Sequence, residues 1–119
     1  MYTETIHFKE PRNVGRPQGF NVRGVAGDPA AGPFFIVYLD VDAESVIQHA
    51  NFETYGCMAA VTAGSYLTES IKGQRIDDVA LTPERLKEGL TGLPLSKEHC
   101  ALLAVGALAH AIVAWKKRS

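Results

Sequence analysis

The hydrophobic pattern of the chain changes once, near Cys57, and this change constrains the fold more than any other feature of the sequence. Before it, runs of β-branched and aromatic residues between turn residues predict three strands, over Val22 to Ala26, Pro33 to Val41 and Ser45 to Thr54. After it, apolar residues recur every three or four positions, which is the period of an amphipathic helix. Strands with short connections followed by helices predict an α+β fold: a three-stranded antiparallel sheet with helices packed on one face.

Two helices are predicted directly after the strands. The first begins at Cys57 and ends before Gly73, because a glycine suits the C-terminal cap of a helix. The second begins at Thr82-Pro83, where a capping hydroxyl precedes a proline at the first helical position. In the first helix the apolar stripe is predicted to be buried, and three residues are predicted to lie off that face: Thr62, Thr68 and Glu69.

A last helix is predicted from Ser96 or Lys97 to about Lys117. It is apolar nearly all round, which predicts burial against both the sheet and the neighbouring helix. Its apolar stretch from Ala101 to Trp115 falls short of the roughly 20 residues that a membrane-spanning helix needs. We therefore interpret it as a core helix.

Composition narrows the class of protein. A chain of 119 residues fits one domain, spanning residues 1–119. Its 12 basic and 13 acidic residues leave a net charge of -1, which indicates neither a nucleic-acid partner nor a membrane surface. Residues 1–20 have no apolar core of a signal peptide, so a cytoplasmic protein is expected. The 2 cysteines of a cytosolic chain are not expected to form a structural disulfide, which leaves metal ligation, reactivity or simple burial open.

Three residues are candidates for chemistry. Cys57 is predicted at a strand-to-helix junction, where free N–H groups and the helix dipole favour a thiolate, although cysteine also fills core space. His99 and Cys100 are adjacent near the start of the last helix, and they can share a metal only where the first turn faces the site. The spacing between the two cysteines matches no compact zinc signature.

Other polar residues are assigned structural roles. His110 interrupts an apolar helix and is interpreted as a hydrogen-bonded residue, whereas His7 and His49 are predicted to be exposed. Asp40 and Asp42 resemble a pair of catalytic acids, but turns favour aspartate for backbone hydrogen bonding. No phosphate-binding loop or catalytic triad has local support, so the sequence does not predict an enzyme.

Several segments, in this order along the chain, resemble the IscU/NifU N-terminal family of iron-sulfur cluster assembly scaffolds. They cover almost the whole chain, and they are His7 to Gly15, Gly27 to Pro33, Phe52 to Ala60, Thr68 to Gly73 and Leu93 to Cys100. The resemblance implies the SufE/NifU-like fold, a small antiparallel sheet with helices on one face. It also implies a non-enzymatic scaffold on which iron and sulfide are assembled into a cluster that is then passed on.

The resemblance assigns ligands and also shows where they are missing. Cys57 and Cys100 match two of the family's thiolates, and His99 matches its histidine. Ala31 stands where the first thiolate belongs, and Pro33 stands where an aspartate belongs. Iron in clusters is normally held by four ligands, so a degenerate site is expected, with a transient iron-sulfur cluster, a zinc or iron ion, or no cofactor at all.

The resemblance further implies partners: a cysteine desulfurase as sulfur donor, a DnaK-type chaperone with its co-chaperone, and acceptor apoproteins. The segment from Leu93 to Lys97 resembles the family's chaperone-recognition loop. Two other functions stay open. The chain could be a cluster-free adaptor or regulator that binds the desulfurase or the chaperone, or a sulfur relay that carries a persulfide on Cys57 or Cys100.

Overall fold

The structure is a computed structural model that describes residues 13–28, 30, 32–55, 58–79 and 98–118. The helix predicted at Thr82-Pro83, the chaperone-loop segment and His7 lie outside these residues. The described elements are the strands β1 (Val22–Gly27), β2 (Phe34–Val41) and β3 (Ile47–Tyr55), the helices α1 (Met58–Ile71) and α2 (Glu98–Arg118), and a 3₁₀ helix at Ile76–Asp78. Neither α1 nor α2 combines the length and the apolar character that crossing a bilayer requires.

The three strands form one antiparallel sheet in the order β1-β2-β3, which confirms the predicted α+β fold. The observed strand ends differ from the predicted ones by at most two residues. One irregularity interrupts the ladder, because Asp40 pairs with His49 whereas Val41 pairs with Ile47. Gln48 is therefore an extra residue in β3, as in a β-bulge, and the register beyond it keeps the apolar residues on the core side.

The core lies between one face of the sheet and the two helices. Phe35, Val37 and Leu39 alternate along β2 and are completely buried on this face. The ring of Phe35 stacks on that of Phe52 in β3, with centroids 5.3 Å apart. Helix α1 approaches these rings closely at Gly64, where an added Cβ would lie 2.5 Å from Phe52. The fold thus needs a residue without a side chain at this contact.

The prediction for the polar side of α1 was wrong. Thr62 and Thr68 are 1% and 0% exposed, where the sequence pattern had placed them off the buried face. For Thr68 the reason is the segment before β1, which lies over this part of the helix. Asn13 Nδ2 donates to Thr68 Oγ1 at 2.9 Å and to Glu69 Oε2 at 3.0 Å, while the Thr68 hydroxyl also hydrogen-bonds the Gly64 carbonyl. Hydrogen bonding makes the burial of these polar side chains tolerable.

Asn13 connects three parts of the fold. Its carbonyl accepts a hydrogen bond from Phe52 N in β3, and its side chain joins α1 and accepts from Lys72 Nζ. Its backbone is in the left-handed region, with φ 66°, which asparagine tolerates better than most residues. Asn13 therefore fastens the segment before β1 to both the sheet and the helix.

Asn13→Ala is expected to lower the free energy of unfolding by about 2–3 kcal/mol. The change removes several partly buried hydrogen bonds and places an alanine at positive φ. Urea denaturation followed by circular dichroism measures the loss. Ser45→Ala is the matched control, because Ser45 has a similar φ of 68° in a surface turn. Equal effects of the two substitutions would show that the side-chain bonds of Asn13 contribute nothing.

The prediction for the last helix was also wrong in part. Helix α2 is buried only along one stripe, formed by Ala104, Ala107, Leu108 and Ala111. Leu102 and Val113, on the opposite side, remain 55% and 49% exposed. The cause is its position: α2 packs mainly on β1, the edge strand, so the sheet covers one side of the helix only.

Small residues allow α2 to pack closely against β1. An added Cβ on Gly24 would lie 2.0 Å from the Ala107 carbonyl oxygen and 2.5 Å from Ala111 N. This close approach lets His110 Nδ1 accept a hydrogen bond from Val25 N at 2.9 Å, which confirms that His110 is a hydrogen-bonded residue. The bond satisfies a backbone N–H on the outer edge of the sheet, an edge that would otherwise be open to pairing with another chain.

The second face of the sheet is covered around Tyr38, which is 2% exposed. The Phe20 ring contacts it edge-on with centroids 4.8 Å apart, the Arg16 guanidinium lies over the same ring, and the Tyr38 hydroxyl donates to Glu53. Burial raises the pKa of Tyr38, and the hydrogen bond to Glu53 raises the pKa further. This cluster fixes residues 16–20 on the sheet face that the helices leave open.

Of the two aspartates predicted in the turn between β2 and β3, Asp42 lies in the turn, whereas Asp40 is a residue of β2 and pairs with His49. Asp42 Oδ1 accepts hydrogen bonds from the backbone N–H groups of Val46 and Glu44, which confirms the predicted turn role. The bond from Val46 is the main reason that the pKa of Asp42 lies below its ordinary value. His49 is exposed, as predicted.

Candidate functional site

Two of the segments that resemble the family, the one that begins at Gly27 and the one that contains Tyr55, meet at the same end of the sheet because of the strand register. Phe34 pairs with Gly27 on one side and with Tyr55 on the other. The loop of residues 28–33 therefore lies beside the end of β3, and we call this region, defined by Gly27, Phe34 and Tyr55, the hairpin end. Cys57 follows Tyr55 by two positions and precedes the first residue of α1, but it lies outside the described residues.

The start of helix α2 is directed toward the hairpin end. Ala107 lies against Gly24, and Gly106 lies against Ala26, so the helix runs antiparallel to β1. From Gly106 back to Cys100 the helix rises about 9 Å, at roughly 1.5 Å per residue. That distance corresponds to about three strand residues beyond Ala26, which is within the 28–33 loop. By this geometry the backbone of His99 and Cys100 is expected beyond the end of β1, on the side of the loop, while their side chains lie outside the described part of the chain.

The 28–33 loop has a backbone frame built on Asp28. Its N–H donates to the Pro33 carbonyl at 3.2 Å, its carbonyl accepts from Gly32 N at 2.9 Å, and its Oδ1 accepts from Ala30 N at 3.0 Å. The role predicted for Asp28 as a turn-forming residue is therefore confirmed. Ala31 lies outside the described residues, whereas Pro33 is exposed.

Gly27 lets the chain enter this loop. Its φ is +84°, and an added Cβ would lie 2.3 Å from the Pro33 carbonyl oxygen. A residue with a side chain would therefore be both strained and too close to the returning strand. The loop is thus closed tightly at its base, directly beside Phe34.

An aromatic pair marks the same end and was not singled out from the sequence. The rings of Phe34 and Tyr55 stack with centroids 6.3 Å apart and an interplanar angle of 11°. Tyr55 remains 66% exposed, so the pair presents apolar surface beside the loop. The signal was available in principle, because both aromatic residues stand at strand ends that an antiparallel register brings together.

Among the residues that the structure describes, no group of three or more histidine, cysteine or acidic side chains is arranged to hold a metal ion. The predicted ligands Cys57, His99 and Cys100 are not tested by this, since their side chains are outside that set. Asp28, three positions before Ala31 in the sequence, has a carboxylate of which one oxygen is engaged with Ala30 N. The metal site accordingly remains a prediction.

Comparison with known proteins places the chain in a family. The family model described as the NifU-like N terminal domain matches residues 1–119. The iron-sulfur cluster assembly scaffold protein IscU 1 of Archaeoglobus fulgidus is 36% identical over 122 residues, which span 100% of this chain and 79% of that protein. IscU of Escherichia coli strain K12, also named as an iron-sulfur cluster assembly scaffold protein, is 35% identical over 98% of this chain and 95% of its own length.

Solved structures show the same fold. A nitrogen-fixing NifU-like protein (N-terminal) from Brucella abortus superposes with a TM-score of 0.74, at 12% identity, covering 100% of this chain and 95% of its own. A putative iron-sulfur cluster assembly scaffold protein for the SUF system from Fervidobacterium islandicum gives a TM-score of 0.67 at 14% identity, over 94% and 95% of the two chains. Because the family model matches the whole chain, relatives are 35% and 36% identical and the fold agrees, this chain belongs to the family of NifU-like N-terminal domains.

Proposed function

We propose that the protein acts without catalysis in iron-sulfur cluster assembly, as a scaffold-like protein whose metal site has lost two of the family's ligands. One observation carries this proposal: the strand ends on either side of the 28–33 loop and the end of β3, two positions before Cys57, meet at the hairpin end. Relatives with 35% and 36% identity are named scaffold proteins for cluster assembly, which supports the same function here.

The donors that remain define what the site can hold. Cys57, Cys100 and His99 would supply two thiolates and one imidazole, while Ala31 has no donor atom. Zinc accepts such mixed sulfur and nitrogen sets in tetrahedral sites, with water or a carboxylate as the fourth ligand. A cluster needs more thiolate, because cysteine sulfur dominates the ligands of its irons. A single zinc or iron ion is therefore the favoured occupant, and an iron-sulfur cluster would be held weakly and transiently.

The partners follow from the proposed function. A cysteine desulfurase would supply sulfide, a DnaK-type chaperone with its co-chaperone would assist release, and acceptor apoproteins would take the product. The exposed aromatic pair at the hairpin end suits protein recognition, since aromatic side chains are enriched at the centres of interfaces.

Cys57→Ser and Cys100→Ser are each expected to abolish stable binding of zinc or iron. Losing one of three protein ligands leaves too little binding free energy to hold the ion, because a hydroxyl is a far poorer ligand than a thiolate. Elemental analysis of the purified proteins measures the loss, and circular dichroism verifies that the variants are folded. His49→Ala is the control, since it removes an exposed histidine from β3. Unchanged metal content in both cysteine variants would contradict the proposed site.

The double variant Cys57→Ala, Cys100→Ala separates the scaffold from a cluster-free adaptor, the rival favoured by the exposed Tyr55 at an end that lacks two donors. An adaptor would bind a cysteine desulfurase through its side-chain surface, so capture of the desulfurase would survive loss of both cysteines. Capture that disappears with the thiols would instead support a metal-dependent contact or a persulfide relay.

A further inference from the structure

His110 links helix α2 to the backbone of β1. Its Nδ1 accepts a hydrogen bond from Val25 N at 2.9 Å, although the two residues are 85 positions apart in the sequence. Because Nδ1 is the acceptor, the proton of the neutral imidazole is on Nε2. The bond therefore forms with one tautomer of the neutral ring and with no form of the protonated ring.

The packing around this bond holds the backbone in place but leaves the histidine accessible. Ala107 and Ala111, on either side of His110 in the sequence, are completely buried. An added Cβ on Gly24 would lie 2.5 Å from Ala111 N, so the strand and the helix touch beside the histidine. His110 itself is exposed and can turn into water. The bond to Val25 can thus open while the close packing of α2 on β1 persists.

Protonation of His110 removes the acceptor. An imidazolium carries an N–H on both ring nitrogens, so Nδ1 would face the Val25 N–H as a second donor. Histidine is the side chain that ordinarily changes charge between about pH 5 and 8. A mildly acidic solution therefore replaces an attractive contact at the edge of β1 by a repulsive one.

The charged residues nearby do not compensate an imidazolium. Arg23 lies two residues before Val25 in β1, and Lys117 lies about two turns after His110 in α2, so both nearest charges along these elements are positive. No carboxylate among the described residues forms an ion pair with His110. The other charged residues on or directly after the elements that pack with α2 are Asp28, Asp40, Glu69 and Lys72. Of these, Asp28 is bonded to Ala30 N and Glu69 is paired with Lys72.

The direction of the pH effect follows from these contacts. The bond requires a neutral ring, whereas a ring that has left the bond takes up a proton without losing a partner. The stability that the bond contributes is therefore fully present above the titration range of histidine and is lost as the pH falls through that range.

We propose that His110 is an acid-sensitive latch between α2 and the outer edge of β1, closed when its imidazole is neutral and open when the imidazole is protonated. Opening deprives the Val25 N–H of its acceptor at an edge strand, where an unpaired N–H is open to other partners. The buried stripe of α2 keeps the helix on the sheet in both states. The latch uses none of the predicted metal ligands, so it does not depend on the proposed function.

Hydrogen exchange of the Val25 amide, followed by NMR at about pH 5 and pH 8, tests the latch. Each rate is compared with that of an unprotected amide at the same pH, which gives a protection factor. We expect the protection factor of Val25 to be roughly tenfold lower at the acidic pH, the ratio that corresponds to the loss of one hydrogen bond. The amide of Val37, in the central strand β2, is the internal reference and should keep its protection.

Two substitutions of His110 separate titration from structure. His110→Asn keeps an acceptor oxygen close to the position of Nδ1 and does not titrate, so Val25 should be equally protected at both pH values. His110→Ala removes the acceptor, so the protection of Val25 should be low at both. His49→Ala removes an exposed histidine of β3 and should leave the pH response of Val25 as it is in the unmodified chain.

Three results would overturn the proposal. The first is equal protection of Val25 at the two pH values in the unmodified chain. The second is a loss of protection on acidification in the His110→Asn variant as large as in the unmodified chain. The third is a loss at Val37 that accompanies the loss at Val25, because acid would then be opening the whole sheet and not the latch.

Discussion

Replacing Ala31 by cysteine and Pro33 by aspartate is expected to produce a protein that assembles a coloured iron-sulfur cluster far better than the unmodified chain. The structure explains why the loop should accept both changes. The hydrogen bonds that frame it run through Asp28, Gly32 and the Pro33 carbonyl, and none of them needs the side chain of residue 31 or 33. Aspartate keeps that carbonyl and restores the N–H that proline lacks. The substitutions would supply a third thiolate and a carboxylate to the proposed site of Cys57, His99 and Cys100.

Anaerobic reconstitution with iron and sulfide, read by absorbance near roughly 400 nm and by iron and sulfide content per chain, measures the gain. Ala43→Cys is the control: it adds an exposed thiol in the β2–β3 turn, which lies at the other end of the strands from the 28–33 loop. That variant should bind no more cluster than the unmodified chain. If the unmodified chain already held a full cluster as well as the repaired one does, the idea that Ala31 and Pro33 weaken the site would have to be abandoned.

Gly24→Ala is expected to be the most damaging single methyl addition in the described core, lowering the free energy of unfolding by about 3 kcal/mol or more. The new Cβ would lie 2.0 Å from the Ala107 carbonyl oxygen, which is backbone and cannot rotate away. Helix α2 would have to move off β1, and the hydrogen bond between Val25 N and His110 Nδ1 would lengthen or break. A domain of this size has only about 5–15 kcal/mol of stability to lose.

Urea denaturation quantifies this effect. Gly19→Ala is a direct control, because an added Cβ at Gly19 would meet nothing within 4 Å. It should stay within about 0.5 kcal/mol of the unmodified protein. If Gly24→Ala and Gly19→Ala unfolded at similar urea concentrations, α2 could move away from β1 at little cost in free energy. The close contact at Gly24 would then have no energetic importance.

The layered fold was predictable from the sequence because it depends on local periodicity. The strands around Phe35 and Phe52 and the helix start after Tyr55 carry their own hydrophobic pattern, so their ends were correct to within two residues. The candidate site residues were predicted from the family resemblance. The local sequence pattern alone could not decide whether Cys57 is a metal ligand or a buried core residue. Neither source revealed the aromatic pair of Phe34 and Tyr55, which becomes a pair only when the register is known.

The errors have a common physical cause. Burial of Thr68 depends on Asn13, which is 55 positions away in the sequence, and no periodicity within a helix can report a distant segment that covers it. Exposure of Leu102 and Val113 depends on α2 packing against an edge strand, which is a property of the tertiary arrangement. An apolar residue shows that burial would be favourable, but the rest of the fold decides whether anything lies there to bury it.

The frame of the 28–33 loop bears on how such a site changes over evolutionary time. The hydrogen bonds of its described residues come from the backbone and from Asp28, so mutations at positions 31 and 33 are expected to alter the chemistry of the proposed site while these bonds persist. Selection on metal binding and selection on folding therefore act on different residues. A lineage whose metabolism no longer needs a bound cluster can lose a ligand by point mutation, keep the domain for other work, and regain the ligand along an equally short mutational path.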